Sequence, residues 1–348
     1  MRQAITIAGT TIQPGTRKSI ELSIPSFYTH TSESMPIHVV HGHKPGPCLL
    51  ICAAIHGDEI NGVEIIRRVL AHKTVNNLKG TLIAIPIVNV FGFVSQSRYL
   101  PDRRDLNRSF PGSKKGSMAS RMANILMVEI IEHCTHIIDL HTGAIARENL
   151  PQIRACLNDD PETESFARSF GVPVMINTQL RDGSLREAAS ENNIPALLYE
   201  AGEALRFNEF AIRAGVRGIL GAMSHIGMRA KSRKKKVYDS FISKSTHWIR
   251  SSQSGILRSI VPLGTLVNKG DILAYINDPL GEIETEVISS VSGIVIGKTN
   301  IPLVHEGEGI FHIAQYPEAE EISNYIESYH DEFDPLNEDT ENKDAPLV

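Results

Sequence analysis

Apolar residues along this chain alternate between two periods. Cys48 to Ala54 is a continuous apolar run, Glu59 to His72 carries Val63, Ile66, Val69 and Leu70 at helical spacing, and Thr81 to Val88 is again a run of strand length. Ser117 to Cys134 returns to the helical period and leads into a short strand, His136 to Leu140. Further strands are predicted over Gln152 to Leu157 and Ala196 to Tyr199, with helices over Pro161 to Phe170, Ser184 to Asn192 and Phe207 to Met228. Strands that read as unbroken apolar runs are covered on both faces, and the helices between them supply the cover. The pattern predicts an α/β domain over residues 1–228 whose central sheet is mainly parallel or mixed and flanked by helices. Before the turn Lys44-Pro45-Gly46-Pro47 the chain reads as strands, with turns at Gly9 and Pro14-Gly15.

Beyond Met228 the pattern changes. Residues 229–244 open with Arg-Ala-Lys-Ser-Arg-Lys-Lys-Lys and read as a basic linker; without interleaved aromatic residues the run offers no stacking platform, so no nucleic-acid partner is expected. Residues 245–316 hold an internal repeat: Ser254-Gly255-Ile256-Leu257 leads to Leu266–Leu273, and Ser292-Gly293-Ile294-Val295 leads to Leu303–Ile310. This small all-β segment resembles the barrel-sandwich fold of biotinyl and lipoyl carrier domains. Those carriers place a lysine at the hairpin tip between the halves. Here the tip is Asn277-Asp278-Pro279-Leu280-Gly281-Glu282, so an accessory role near the site or in a homo-oligomer is expected instead.

Composition narrows the class. The 348 residues are 41% hydrophobic and 22% charged, the balance of a globular protein, and no apolar run reaches membrane-spanning length. Met1 to Ile24 lacks the apolar core of a signal peptide, which predicts a cytoplasmic protein with no membrane partner. The four cysteines, Cys48, Cys52, Cys134 and Cys156, lie in apolar segments and read as buried free thiols. The net charge of −5 is uneven: from Glu318 onward eleven Asp or Glu face one Lys, giving −10 and leaving +5 for the rest. Residues 317–348 are therefore an acidic tail, expected to be partly disordered from Asp334 on.

Candidate chemistry sits where strands end. His56 and Glu59 follow the Cys48 to Ala54 run, and His141 follows His136 to Leu140. In a parallel sheet such positions converge, because ligands gather beyond the carboxyl ends of the strands. Two histidines and a glutamate form the ligand set of zinc hydrolases, which leave one position open for water; a non-haem iron site uses the same set. His41 and His43 precede the first central strand and belong at the opposite end. Asp139, two residues before His141, projects to the same side and either orients that ligand or is an ordinary buried acid. Ser97 to Gly112 holds four arginines among aromatic and apolar residues, so it is expected to fold down and aim guanidinium groups at an anionic substrate. Glu200 closes the Ala196 to Tyr199 strand and is placed to exchange protons as general base and acid; Glu203, past Gly202, is expected to be exposed.

In this order, His-Gly-Asp-Glu at 56–59, Asp-Leu-Asn-Arg at 105–108, Asp-Leu-His-Thr-Gly at 139–143 and Tyr-Glu-Ala-Gly at 199–202, the chain resembles the succinylglutamate desuccinylase/aspartoacylase family, related to the zinc carboxypeptidases. The resemblance spans roughly Gly46 to Gly227, and many bacterial members carry a β-rich C-terminal domain. It implies one Zn2+ per chain on His56, Glu59 and His141, with Glu200 as general base and acid. It also implies a substrate carboxylate held by Asn107 and Arg108, and a carbonyl polarised by Arg98, with Arg103 the alternative. The implied reaction is amide hydrolysis in a small anionic N-acyl amino acid, of desuccinylase, aspartoacylase or deacetylase type. A metallocarboxypeptidase acting on short peptides would use the same chemistry. A non-catalytic metal-binding or assembly protein is the reading from a different class.

Overall fold

The computed structural model describes residues 2–157, 160–230, 240–243, 245–316 and 319–333. Its spine is a mixed sheet of thirteen strands. Four neighbours at the centre run parallel: Ala196–Glu203, His136–Gly143, Lys44–Ala53 and Lys79–Ile85. On one side the sheet continues antiparallel through Glu33–His41 to Thr16–Ile24. On the other side Arg147–Ala155 runs antiparallel to Ala196–Glu203.

Both faces of the central strands are buried, as the continuous apolar runs require. One face packs Leu49, Ile51, Ile138, Leu140 and Leu197 against the helices Asn61–Ala71, Pro161–Phe170 and Glu209–His225. The other packs Leu50, Ile83, Ile85 and Ile137 against the helices Met118–Glu129 and Leu185–Glu191. Four of these five helices start where the sequence offers a cap: Ser117, Asp160, Ser184 and Asn208 accept backbone N–H groups of the first turns, whereas Asn61–Ala71 follows Ile60 without a side-chain cap.

The β-rich C-terminal segment does not stand apart as a separate layer. Gly293–Thr299 pairs with Arg147–Ala155, Gly309–Gln315 pairs with Gly293–Thr299, and Ser245–Arg250 closes the edge, all in the same sheet. A four-stranded sheet lies over it around its own core of Leu257, Leu273, Ile276, Val295 and Phe311. Most of the basic run expected as a linker, residues 231–239, lies outside the described residues. The end of that stretch is strand, since Phe241–Ser243 pairs in parallel with Val174–Asn177.

The first half of the acidic tail is helical and packed. Ala319–Phe333 is a helix whose Ile322 and Ile326 join a core cluster with Leu150, Val174, Ile176, Ile294 and Ile296, while Tyr329 and Phe333 enter the helical core. Apolar residues at i, i+4, i+7 and i+11 on an acidic background make an amphipathic helix, and the net charge hid that stripe. The part expected to be disordered, from Asp334 on, lies outside the described residues. All four cysteines are free thiols; three are buried and Cys156 is half-buried.

Candidate metal centre

After the Lys44–Ala53 strand the chain turns sharply at His56-Gly57-Asp58-Glu59, and the Glu59 N–H donates to the His56 carbonyl at 3.1 Å. Gly57 is required there, because a Cβ would lie 1.9 Å from the Gly92 carbonyl carbon. The turn brings the His56 ring and the Glu59 carboxylate to one point, and the neighbouring His136–Gly143 strand delivers His141 to the same point. The ligand atoms of His56, Glu59 and His141 all lie within 4.8 Å of one another, and all three residues are buried.

The rings share an orientation. His56 Nδ1 is 2.7 Å from Glu59 Oε1, and His141 Nδ1 is 2.7 Å from Glu59 Oε2. Their far nitrogens meet other carboxylates, His56 Nε2 on Asp105 at 3.1 Å and His141 Nε2 on Asp139 at 2.7 Å. A carboxylate behind an imidazole fixes its tautomer and ring angle, the arrangement that accompanies metal-binding histidines. Two inward Nδ1 atoms, one inward carboxylate and an outer carboxylate behind each ring fit a divalent cation. Burial works against charge on both rings, yet Glu59 and Asp105 raise the His56 pKa, and Asp139 with Glu59 takes His141 well above the ordinary imidazole range. Burial likewise opposes a Glu59 carboxylate, but the two histidines hold it well below the usual range.

Asp139 thus stands where the sequence allowed an orienting acid. Its counterpart Asp105 was read only as part of a motif; the signal available was its place one residue before a 3-10 turn, Leu106–Arg108, whose Asn107 N–H it caps at 2.8 Å. Of the four arginines of the loop expected to fold down, Arg98 turns inward, while Arg103, Arg104 and Arg108 are exposed. Arg98 reaches Asp105 Oδ2 through Nη2 at 3.0 Å and Glu59 Oε1 through Nη1 at 3.3 Å, whereas Arg103 is exposed in a turn at φ 62°. Asn107 is buried and accepts the Leu185 N–H on Oδ1 at 2.9 Å, which leaves its Nδ2 as the donor available to a ligand. Arg108 is exposed beside it. His41 lies at the opposite end of the sheet, bonded to Thr81.

Glu200 is the parallel cross-strand neighbour of His141. Its Oε1 accepts Asn149 Nδ2 at 2.9 Å, and Arg154 Nε lies 2.6 Å from Oε2, a close charge contact without hydrogen-bond alignment. Glu203 corrects an expectation, being 7% exposed rather than free in a turn. The strand continues past Gly202 through a register shift between Glu200 and Glu203, and the Glu203 carboxylate accepts Ala146 N–H at 3.0 Å and Asn300 Nδ2 at 2.8 Å. Neither Asn149 nor Arg154 was singled out in the sequence. The strand that carries them was expected from Gln152, after Pro151, but runs Arg147–Ala155, with Pro151 at the shift opposite residues 200–202.

The catalytic-domain model of the succinylglutamate desuccinylase/aspartoacylase family matches residues 45–226. The chain belongs to that family. The matched segment holds both histidines, Glu59, the arginine loop and Glu200. Among curated proteins, the N-alpha-acetyl-L-2,4-diaminobutyric acid deacetylase of Halomonas elongata is 24% identical over 82% of this chain and 86% of its own length. Among solved structures, the product-bound ectoine utilization protein EutE (DoeB) from Ruegeria pomeroyi superposes with a TM-score of 0.78 at 22% identity, covering 86% of this chain and 95% of that one. A succinylglutamate desuccinylase/aspartoacylase from Rhodobacter sphaeroides gives 0.77 at 23% identity, covering 86% and 96%. At these identities the structural likeness speaks for the fold, which therefore extends through the C-terminal β segment. Among the described residues, no helix is long and apolar enough to cross a membrane.

Proposed function

We propose that this protein is a zinc-dependent hydrolase that cleaves the amide bond of a small N-acyl amino acid. The observation that carries the reading is the pair of imidazoles turned inward on Glu59, each backed by a carboxylate, one strand from Glu200. His56, Glu59 and His141 would hold the ion, which supplies Lewis acidity toward the scissile carbonyl and toward water. Glu200 takes the proton of the attacking water and returns it to the departing amine. Each of its oxygens keeps a second lone pair beside its present contact, so it can accept that proton without leaving Asn149 or Arg154. The Arg98 guanidinium stabilises negative charge as it develops on the carbonyl oxygen. Asn107 Nδ2 and Arg108 grip the substrate carboxylate, so binding energy becomes orientation.

The test is amine release from a panel of N-acetyl, N-succinyl and other N-acyl amino acids, with short peptides alongside, on the zinc-loaded chain. N-acyl amino acids are expected to be cleaved well ahead of peptides. Glu200→Gln is expected to keep its metal and lose about 10²- to 10⁴-fold in turnover. Preferential release of C-terminal residues from peptides would instead mark a carboxypeptidase, and near-normal turnover in Glu200→Gln would remove Glu200 from the reaction.

A further inference from the structure

Glu200 belongs to the family-matched segment, but the surroundings of its carboxylate do not stop there. Asn149 Nδ2 donates to Glu200 Oε1 at 2.9 Å, and since a carboxylate can only accept, the amide orientation is fixed with Oδ1 pointing away. In the sheet Asn149 is the register partner of Gly202 on one side and of Gly297, from the C-terminal β segment, on the other; Gly297 is in turn the partner of His312. The Asn149 and His312 side chains both fold over Gly297. A Cβ at position 297 would fall 2.6 Å from Asn149 Oδ1 and 3.3 Å from the His312 Cβ. The missing side chain at 297 is therefore the space in which Asn149 lies. Asn149 is itself buried, so a Cβ at 297 would push its side chain aside within the sheet and away from Glu200.

The same segment holds the other end of the register shift. Asn300 Nδ2 donates to Glu203 at 2.8 Å, the Asn300 N–H donates to the Ala146 carbonyl at 2.8 Å, and the Ala146 N–H donates to Glu203. Residues 297–300 thus meet both the side chain that holds Glu200 and the Glu203 end of the register shift that follows it.

We propose that Asn149 is a positioning residue for Glu200, and that Gly297 of the C-terminal β segment keeps it in place. The β segment is then part of how the base is aimed, rather than an appended module. The inference rests on the reading of Glu200 as the proton-transfer group. It acts through orientation: a carboxylate displaced by about 1 Å costs on the order of 10²-fold in rate.

The experiment uses the full zinc-loaded chain with N-acetyl-L-2,4-diaminobutyrate or N-succinyl-L-glutamate, whichever is turned over faster. Asn149→Ala and Gly297→Ala are each expected to lower kcat by about 10- to 100-fold, with KM within about twofold, one zinc per chain and an unchanged melting temperature. Asn149→Gln, which keeps the donor on a longer arm, is expected to recover part of the loss. In a Glu200→Gln background neither alanine substitution should lower kcat further, because residues that act through one group are not additive. Retention of kcat within twofold in both single variants, or losses that multiply with that of Glu200→Gln, overturns the proposal. So does full activity in Gly297→Ala beside an Asn149→Ala that is inactive only because it does not fold. Near-normal turnover in Glu200→Gln overturns the role of Glu200 and this inference with it, whereas an inactive Glu200→Gln beside unaffected Asn149 and Gly297 variants overturns this inference alone.

Discussion

The two halves of the sheet assemble their parts of the site in different ways. In the parallel half, Lys44–Ala53 and His136–Gly143 each run through the core and deliver a candidate metal ligand at the carboxyl end, so His56, Glu59 and His141 meet because neighbouring strands end at one level. Where the parallel half meets the antiparallel half, Glu200 on the last parallel strand is contacted from the side by Asn149 and Arg154 of the next strand, and the start of that strand is held by residues 297–299. The first construction is local and repeats one device. The second depends on lateral pairing between segments some hundred and fifty residues apart, such as Asn149 and Gly297.

That contrast predicts where damage shows. His141→Ala should have the largest effect: metal content falls from one per chain toward zero and amide hydrolysis falls to the background rate, while the fold survives because the hydrophobic clusters are untouched. Elemental analysis, amine release and circular dichroism read the three parts, and a variant that kept both metal and turnover would sink the ligand assignment. Asp105→Asn should cost less, about 10- to 100-fold in metal affinity, since it removes the carboxylate behind His56 and leaves the ligands in place. A competition titration against a chelator measures it, and unchanged affinity would mean that the outer carboxylate does not orient the ring.

The smallest effect belongs to the antiparallel half and concerns stability. His312 is 4% exposed and stacks on Trp248 at 4.4 Å, and burial, reinforced by the charge of Arg154 and by His247, holds its pKa down at about 3. In the unfolded chain an imidazole titrates near 6.5. As pH falls the unfolded chain takes up the proton first, so the His312 contribution is whole above about pH 6.5 and is lost from there down to about pH 3. His312→Phe, which cannot titrate, should therefore lose about 1–3 kcal/mol less than the parent between pH 7 and pH 4.5 in urea unfolding. Parallel pH profiles for the two chains would show that His312 is not a buried neutral group.

Legibility followed the same division. The helix and strand periods marked every central element, and each metal-ligand candidate stood next to the end of an apolar run, so sequence alone could place them at one end of the sheet. Arg98, the Arg of the loop now seen against Glu59 and Asp105, was separable from Arg103 only once the loop folded down. Glu203 was misplaced because a strand with a register shift looks like a strand followed by a turn. Asn149 was invisible for a related reason: Pro151 reads as the start of the strand, although a strand can pass through a proline where its pairing is irregular; Arg154 lay inside the expected strand, but nothing in the sequence tied it to Glu200. Net charge concealed the apolar stripe of Ala319–Phe333.

The lateral pairing of Arg147–Ala155 also bears on how such proteins can be cut and recombined. The family-matched segment ends at residue 226, yet the strand it contributes at this position has a partner on each side, and the second partner comes from residues 293–299. A chain severed at 226 would bare residues 147–149 of that strand as a raw edge, while residues 152–155 stay paired with Val174–Asn177, and would leave Leu150, Val174 and Ile176 without Ile294, Ile296, Ile322 and Ile326 above them. A chimera that trades the C-terminal part between relatives must therefore carry over both sides of this seam together, because the seam runs through the middle of a sheet and through one shared core.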